Sequence, residues 1–98
     1  MNIIIKRPYT PAFSRTVGHP VGIAQLRKIV GSPAHVRYGP YGVAVVYNPK
    51  SRGEPNFKME SVGYIRGNAV FVGCNGQQLT GLDQKQEAYI WQELLRGI

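Results

Sequence analysis

Acidic residues are scarce in this sequence, cysteine is nearly absent, and long apolar runs are missing. The single cysteine, Cys74 in the run "AVFVGC", excludes an intrachain disulfide and any zinc site built from paired cysteines, so we expect an inert, buried thiol. No apolar segment approaches the roughly 18 residues of a membrane-spanning helix. The N-terminal "MNIIIKRPY" places its apolar run before its charges, the reverse of a signal peptide. These absences predict a soluble cytoplasmic protein that binds no membrane.

Motifs of catalysis and of cofactor binding are missing too. No segment matches the phosphate-binding patterns G-x-x-x-x-G-K-[ST] and G-x-G-x-x-G, or the nucleophile pattern G-x-S-x-G. His19 and His35 are isolated from each other and from any acid, and the 5 carboxylates are widely separated. The sequence therefore predicts no catalytic residue, no metal ligand and no cofactor. An enzyme stays open as an alternative, because catalytic residues meet in space rather than in sequence.

The charge that is present has one dominant sign. Lys and Arg number 12 against 5 Asp and Glu, which gives a net charge of +7. No acid precedes Glu54, whereas eight cations do: Lys6, Arg7, Arg15, Arg27, Lys28, Arg37, Lys50 and Arg52. Such a field favours an acidic partner, which is a nucleic acid, a nucleotide or an acidic protein face. The alternative is that the charge only keeps a soluble protein dispersed.

The 98 residues fit one domain, 1–98, and their apolar patterning predicts its strands. The segments "NIIIK", "AHVRY" and "GVAVVYN" are typical of strands, and residues 7–18 are expected to form a loop or a short irregular strand around Phe13. Both faces of "GVAVVYN" are apolar, which predicts a central strand. The run "VGYIRGNAVFVGC" predicts one long strand or two short ones with a bend at Gly67. Asn75-Gly76 predicts a hairpin turn into a further short strand.

Two helices complete the predicted fold. "HPVGIAQLRKIVG" shows the one-face spacing of a helix, with Pro20 in its first turn and Gly31 at its end. "LDQKQEAYIWQELLRGI" predicts a second helix capped by Asp83 and Gln86, with Trp91 in the core. The fold class that follows is α+β: a small, mostly antiparallel β-sheet with two helices packed on it.

Cations interleaved with tyrosines mark the candidate binding surface. Tyrosine and arginine on a sheet can stack on bases and hold phosphates, although the ribonucleoprotein signature is absent. The alternative is that these tyrosines pack the sheet and expose their hydroxyl groups to water. The candidate binding residues are Lys6, Arg7, Arg37, Tyr38, Tyr41, Lys50, Arg52, Lys58 and Arg66.

The segment "YNPKSRGEPNF", residues 47–57, holds two of these cations, Lys50 and Arg52. Two prolines limit the freedom of the loop, and Arg52 offers a two-pronged grip on a phosphate or carboxylate. The sequence leaves two interpretations open: a clamp for an anion, or a solvated hairpin loop that happens to be basic.

In this order, "QLRKIVG", "YGVAVVYN", "EPNF" and "GYIRGNAVFVGCNGQQLTGLDQKQ" resemble the small family filed as domain of unknown function 3846. The resemblance covers residues 23–95. It implies that Pro55 and Asn56 of "EPN" form a structural turn. "HVRY" and "NPKSRGEPN" depart from the family pattern, so Lys50 and Arg52 are an addition of this chain. The resemblance implies a family that is carried by bacteriophages and plasmids and has no assigned reaction.

The resemblance and the charge together predict a small non-enzymatic binding protein of a phage or other mobile element. It would antagonise a defence system in the cytoplasm of a bacterial host. It would either block a nucleic-acid-binding effector such as a CRISPR complex or sequester a nucleotide signal. The acidic partner is thus a host defence protein, a nucleotide or a nucleic acid. The alternatives are a nucleic-acid-binding accessory protein and an enzyme of unknown reaction. The oligomeric state is open, with a homodimer among the options.

Overall fold

The structure, a computed structural model, describes residues 1–18, 21–59 and 63–96. Its elements are β1 (Asn2–Lys6), β2 (Phe13–Thr16), α1 (Ile23–Val30), β3 (His35–Tyr38), β4 (Val43–Tyr47), β5 (Pro55–Met59), β6 (Gly63–Arg66), β7 (Ala69–Asn75), β8 (Gln78–Thr80) and α2 (Gln84–Tyr89). A 3₁₀ turn, Pro40–Gly42, joins β3 to β4, and α2 continues into a π-helical turn, Ile90–Leu94. The predicted roles of His19, Pro20 and Val62 lie outside the described residues.

The strands form two antiparallel sheets. The main sheet has the order β2-β1-β7-β4-β3, and β8 pairs with β7 beyond this path. The second sheet pairs β5 with β6. Every pairing is antiparallel, which confirms the mostly antiparallel α+β class. Of the two alternatives predicted for "VGYIRGNAVFVGC", two strands form, one on each side of Gly67 (φ 73°), and they belong to different sheets.

The central strand β4 separates two cores, as the apolar character of both its faces predicts. Ala44 and Val46 lie in a first core that includes Leu26 and Val30 of α1. Val43 and Val45 lie in a second core, which also contains Phe57 and Ile65 of the small sheet and Ile90 and Leu95 of the C-terminal helix. Residues of α1 therefore belong to one core, and residues of the small sheet and of the C-terminal helix belong to the other. Cys74 is partly buried beside the first core.

Local signals at the turns and helix ends are largely confirmed. The Asp83 side chain accepts from the Gln86 N–H at 2.8 Å, and the Gln86 side chain accepts from the Asp83 N–H at 3.0 Å, forming the expected capping box. Gly31 ends α1 with φ 91°. The hairpin of β7 and β8 turns one residue later than expected, because Asn75 pairs with Gln78 and Gly76 (φ 62°) is the first turn residue.

The prediction that Trp91 lies in the core is wrong. Its side chain is 40 % exposed, whereas Ile90 and Leu95 are buried. The reason is the π-helical turn, in which the Leu95 N–H donates to the Ile90 carbonyl at 2.9 Å. Because this hydrogen bond spans five residues, Ile90 and Leu95 reach the same side of the helix. In an ordinary α-helix, where residues four apart share a face, Trp91 would lie in line with Leu95.

The interpretation of residues 47–57 as a hairpin loop is also wrong. β4 pairs with β3 and β7, and β5 pairs with β6, so the segment is a crossover from the main sheet to the small one. No helix among the described residues is long and apolar enough to cross a membrane.

Candidate binding cleft

A cleft of about 510 Å³ adjoins the second core, between β5 and the C-terminal helix. Its lining comes from five separate stretches of chain: Arg37, Tyr38, Gly39, Pro40; Val43, Val45; Phe57, Lys58, Met59; Phe71; and Tyr89, Glu93, Leu94. We call this space the cleft. Its volume lies within the range of small-molecule pockets and exceeds what one side chain fills.

The floor of the cleft is a cross-strand row of the main sheet. Arg37 pairs with Val45, and Val45 pairs with Phe71, so these side chains share one face. Phe57 of the small sheet stacks on Phe71, with ring centroids 5.7 Å apart. Val45, Phe57 and Phe71 are each at least 94 % buried. The floor is therefore apolar and rigid, and the Arg37 end of the row reaches solvent.

Two exposed cations, Arg37 of the edge strand β3 and Lys58 of β5, belong to the lining of the cleft. Arg37 shares its face with Val45 and Phe71, whereas the alternation of β5 directs the Lys58 side chain to the face opposite Phe57. The Lys58 ammonium lies 6.0 Å from the centroid of the exposed Tyr64 ring. Glu93 is the one carboxylate in the described lining, so cations outnumber anions two to one. An apolar floor with a cationic mouth suits a ligand that carries an apolar group beside a negative charge.

The Pro40–Gly42 turn forms a fixed corner of the cleft. Gln86 donates from Nε2 to the carbonyls of Tyr41 and Gly42, both at 3.0 Å. The same Gln86 completes the helix cap, so one side chain ties the turn to α2. Tyr41 has φ 62°, a left-handed conformation that costs energy for a residue other than glycine. Its ring meets Tyr89 edge-on at 4.8 Å but remains 74 % exposed. The turn therefore presents an aromatic ring to solvent in a predetermined position.

Lys50 and Arg52 are exposed, as a clamp requires, but neither lines the cleft. Their loop is held by its own polar groups: Asn48 Oδ1 accepts from the Lys50 N–H at 2.9 Å, and Ser51 Oγ accepts from the Gly53 N–H at 3.1 Å. The loop borders a smaller depression lined by Tyr47, Tyr64 and Arg66, among other residues. Arg66 approaches the Gly53 carbonyl at 3.5 Å.

The prediction that Lys6 binds a partner at the surface is wrong. Its side chain is 3 % exposed, and Nζ donates to the Arg7 carbonyl at 2.6 Å. Burial lowers the pKa of the Lys6 ammonium below its ordinary value. The sequence alone does not show that Lys6 pairs with Ala69 in the interior of the sheet, where its side chain is covered. Arg7 is exposed and lies over the Phe13 ring at 5.1 Å.

The nine candidate residues thus separate into four places. Arg37, Tyr38 and Lys58 meet at the cleft, and Tyr41 lies in the depression next to it, which shares Pro40 and Tyr89 with the cleft. Lys50, Arg52 and Arg66 lie around the crossover loop, and Lys6 and Arg7 lie at the end of β1. Phe57, Met59, Tyr89 and Leu94 also line the cleft, and none of them was predicted as a site residue. An apolar residue next to a cation, as in Phe57-Lys58, was the available signal.

No group of three or more His, Cys, Asp or Glu side chains that could hold a metal ion occurs within residues 1–18, 21–59 and 63–96. Comparisons of the chain with models of protein families, with curated proteins and with solved structures find no significant match. The resemblance to domain of unknown function 3846 therefore stays a prediction.

Proposed function

We propose that this protein is a non-enzymatic binding protein that takes an acidic partner at the cleft. The observation that carries the proposal is the juxtaposition of two exposed cations, Arg37 and Lys58, with a buried apolar floor. The net charge of +7 would draw an anionic partner towards the molecule, and the cleft would give it a specific seat.

The arrangement of the elements supports a preformed site. In the proposed arrangement both helices pack on the main sheet, α1 on one side and the C-terminal helix on the other. Leu26 and Val30 share the first core with the sheet, and Ile90 shares the second, which supports this packing. A cleft whose walls belong to such cores loses little entropy when a partner binds.

The biological role that we propose is antagonism of a host defence system by a phage or mobile-element protein. A protein whose cations lie at exposed positions would be suited to cover an acidic surface of an effector or to sequester an anionic signal. This role depends on the resemblance, whereas binding of an acidic partner depends on the cleft and the charge.

The proposed binding is tested with three anionic probes: a labelled single-stranded oligonucleotide, ATP and a labelled polyglutamate peptide. Titrations at about 50 mM salt should show binding of at least one probe, and the logarithm of its affinity should fall linearly with that of the salt concentration. If none of the three binds under these conditions, an acidic partner is ruled out as the basis of the function.

A further inference from the structure

The strand β3 is an edge of the main sheet in the described part of the chain. It is last in the strand order and pairs only with β4 there. In an antiparallel pair, alternate residues of an edge strand direct their N–H and C=O groups away from the neighbour. His35, Arg37 and Tyr38 are exposed and Val36 is partly buried. The backbone of β3 therefore offers hydrogen-bonding groups to an incoming extended chain.

The open edge and the cleft adjoin each other. Arg37 and Tyr38 belong to β3 and also line the cleft. The side chains of a strand added along β3 would alternate between the two faces of the sheet. Those on the face of Arg37 would stand at the mouth of the cleft, beside the row formed by Arg37, Val45 and Phe71. An edge strand with an adjacent side-chain pocket is the arrangement by which strand addition combines affinity with specificity.

The charges around the cleft determine which residues such an added strand would carry. An apolar or aromatic side chain suits the floor made by Val43, Phe57 and Phe71, which is buried and carries no charge. An acidic residue beside this anchor would meet Arg37 on β3, and Lys58 on the outer face of β5 would attract further acidic residues of the segment. A basic segment would instead face both cations. The complementary ligand is therefore an extended acidic segment with one large apolar residue.

A nucleotide or a single-stranded nucleic acid is the competing occupant, because Tyr41 and Tyr89 offer aromatic surfaces near the two cations. Stacking and phosphate contacts make no use of the open backbone of β3. The edge strand is thus the feature that favours a protein segment over a nucleic acid.

We propose that β3 and the cleft form one docking site for an extended acidic segment of a partner protein. The segment adds to the main sheet as a strand and inserts an apolar side chain between β5 and the C-terminal helix. This inference rests on the proposed function, since it names the chemistry of the acidic partner.

The first test selects random dodecapeptides from a display library on the immobilised protein. We expect the enriched peptides to carry Asp and Glu around one aromatic or large aliphatic residue. The enriched peptide should lose about tenfold or more in affinity for Arg37→Ala/Lys58→Ala. The matched control is Arg27→Ala/Lys28→Ala, which removes the same charge from the exposed face of α1 and should retain the affinity within about twofold.

The second test follows amide hydrogen exchange by NMR with the enriched peptide. Alternate amides of His35–Tyr38 should exchange quickly in the free protein and become protected in the complex. The amides of Phe13–Thr16 in β2, the other edge of the sheet, serve as the control and should not change. Protection at β3 in the complex supports strand addition.

Three outcomes overturn the inference: no acidic peptide is enriched, the peptide binds both double variants equally, or it binds without protecting β3. If the oligonucleotide or ATP binds and acidic peptides do not, the inference fails while the proposed function stands. If neither probes nor peptides bind, both fail.

Discussion

Lys6 is a buried cation whose ammonium hydrogen-bonds to a backbone carbonyl. The Arg7 carbonyl that accepts this bond is also approached by the Thr10 N–H at 3.4 Å and the Thr10 hydroxyl at 3.3 Å. Removing the ammonium therefore does not leave that carbonyl without a partner. Because burial disfavours the charged form, the ammonium costs folding free energy at neutral pH.

We expect Lys6→Met to raise the free energy of unfolding at pH 7 by about 1 kcal/mol, since an apolar side chain of similar length replaces a buried charge. The native pKa is lowered from the ordinary 10.5, so the unfolded chain holds the proton that the native state loses between the two values. Wild-type stability should therefore rise with pH in this interval, relative to Lys6→Met. Urea unfolding of both proteins across alkaline pH measures the difference, and parallel curves would contradict it.

Asn56 acts as a latch between the two sheets. Its Nδ2 donates to the Lys6 carbonyl at 2.7 Å and to the Gly67 carbonyl at 2.9 Å. The turn that the resemblance implies for Pro55 and Asn56 is wrong, because both residues begin β5, but the two contacts still give Asn56 a structural role. We expect Asn56→Leu to lower the free energy of unfolding by about 2 kcal/mol, because two carbonyls lose their donor. The control Gln78→Leu, at an exposed position of β8, should change it by less than about 0.5 kcal/mol. Equal effects of the two substitutions in urea unfolding would argue against the latch.

At the scale of elements, the C-terminal helix gives the clearest test of packing. Ile90 is fully buried, whereas Trp91 is 40 % exposed. Ile90→Ala should cost about 3 kcal/mol of unfolding free energy, and Trp91→Ala should cost less than half as much. Trp91 is the only tryptophan, so its fluorescence reports directly on its surroundings. Emission typical of an exposed indole in the native protein is expected. A strongly blue-shifted native emission, or the reverse order of the two costs, would contradict the π-helical turn.

The crossover loop yields a separate prediction. Lys50→Ala/Arg52→Ala should leave the free energy of unfolding within about 0.5 kcal/mol of wild type, because both side chains are exposed and the loop is held by Asn48 and Ser51. Thermal and urea unfolding measure this. A larger loss would show that these side chains hold the loop in place. The clamp itself stays a prediction, which the affinity of this variant for an anionic probe decides.

Elements with local signals could be predicted from the sequence. The capping box of Asp83 and Gln86 and the end of α1 at Gly31 depend on residues within one helical turn, and the central position of β4 follows from the apolar residues on both its faces. The π-helical turn shifts the buried face by one residue, and periodicity alone does not show it. Likewise, β5 was not predicted, because residues 55–57 were interpreted as the end of a loop, and only the pairing with β6 makes Pro55–Met59 a strand.

On the scale of the whole molecule, the cations of the site could be predicted from the sequence, but its apolar lining could not. Charge and composition identified Arg37, Tyr38 and Lys58, but not that these residues meet. The cleft combines residues of β3, β4, β5, β7 and the last helix, which are far apart in sequence. Its apolar half reads as ordinary core in each segment taken alone. The cations alone could not separate the cleft from the crossover loop, because exposed basic residues occur at both places.

The central claim is that the cleft, rather than the total charge, binds the acidic partner. It is tested most directly by titrating one probe, the polyglutamate peptide or whichever of the three anions binds most tightly, against three double variants. Arg37→Ala/Lys58→Ala, Lys50→Ala/Arg52→Ala and Arg27→Ala/Lys28→Ala each lower the net charge from +7 to +5, since each removes two cations.

We expect the Arg37/Lys58 variant to lose about tenfold or more in affinity, well beyond the other two, with the Arg27/Lys28 variant within about twofold of wild type. Equal losses in all three variants would show that only the overall field attracts the probe. A loss confined to the Lys50/Arg52 variant would move the site to the crossover loop and contradict the account.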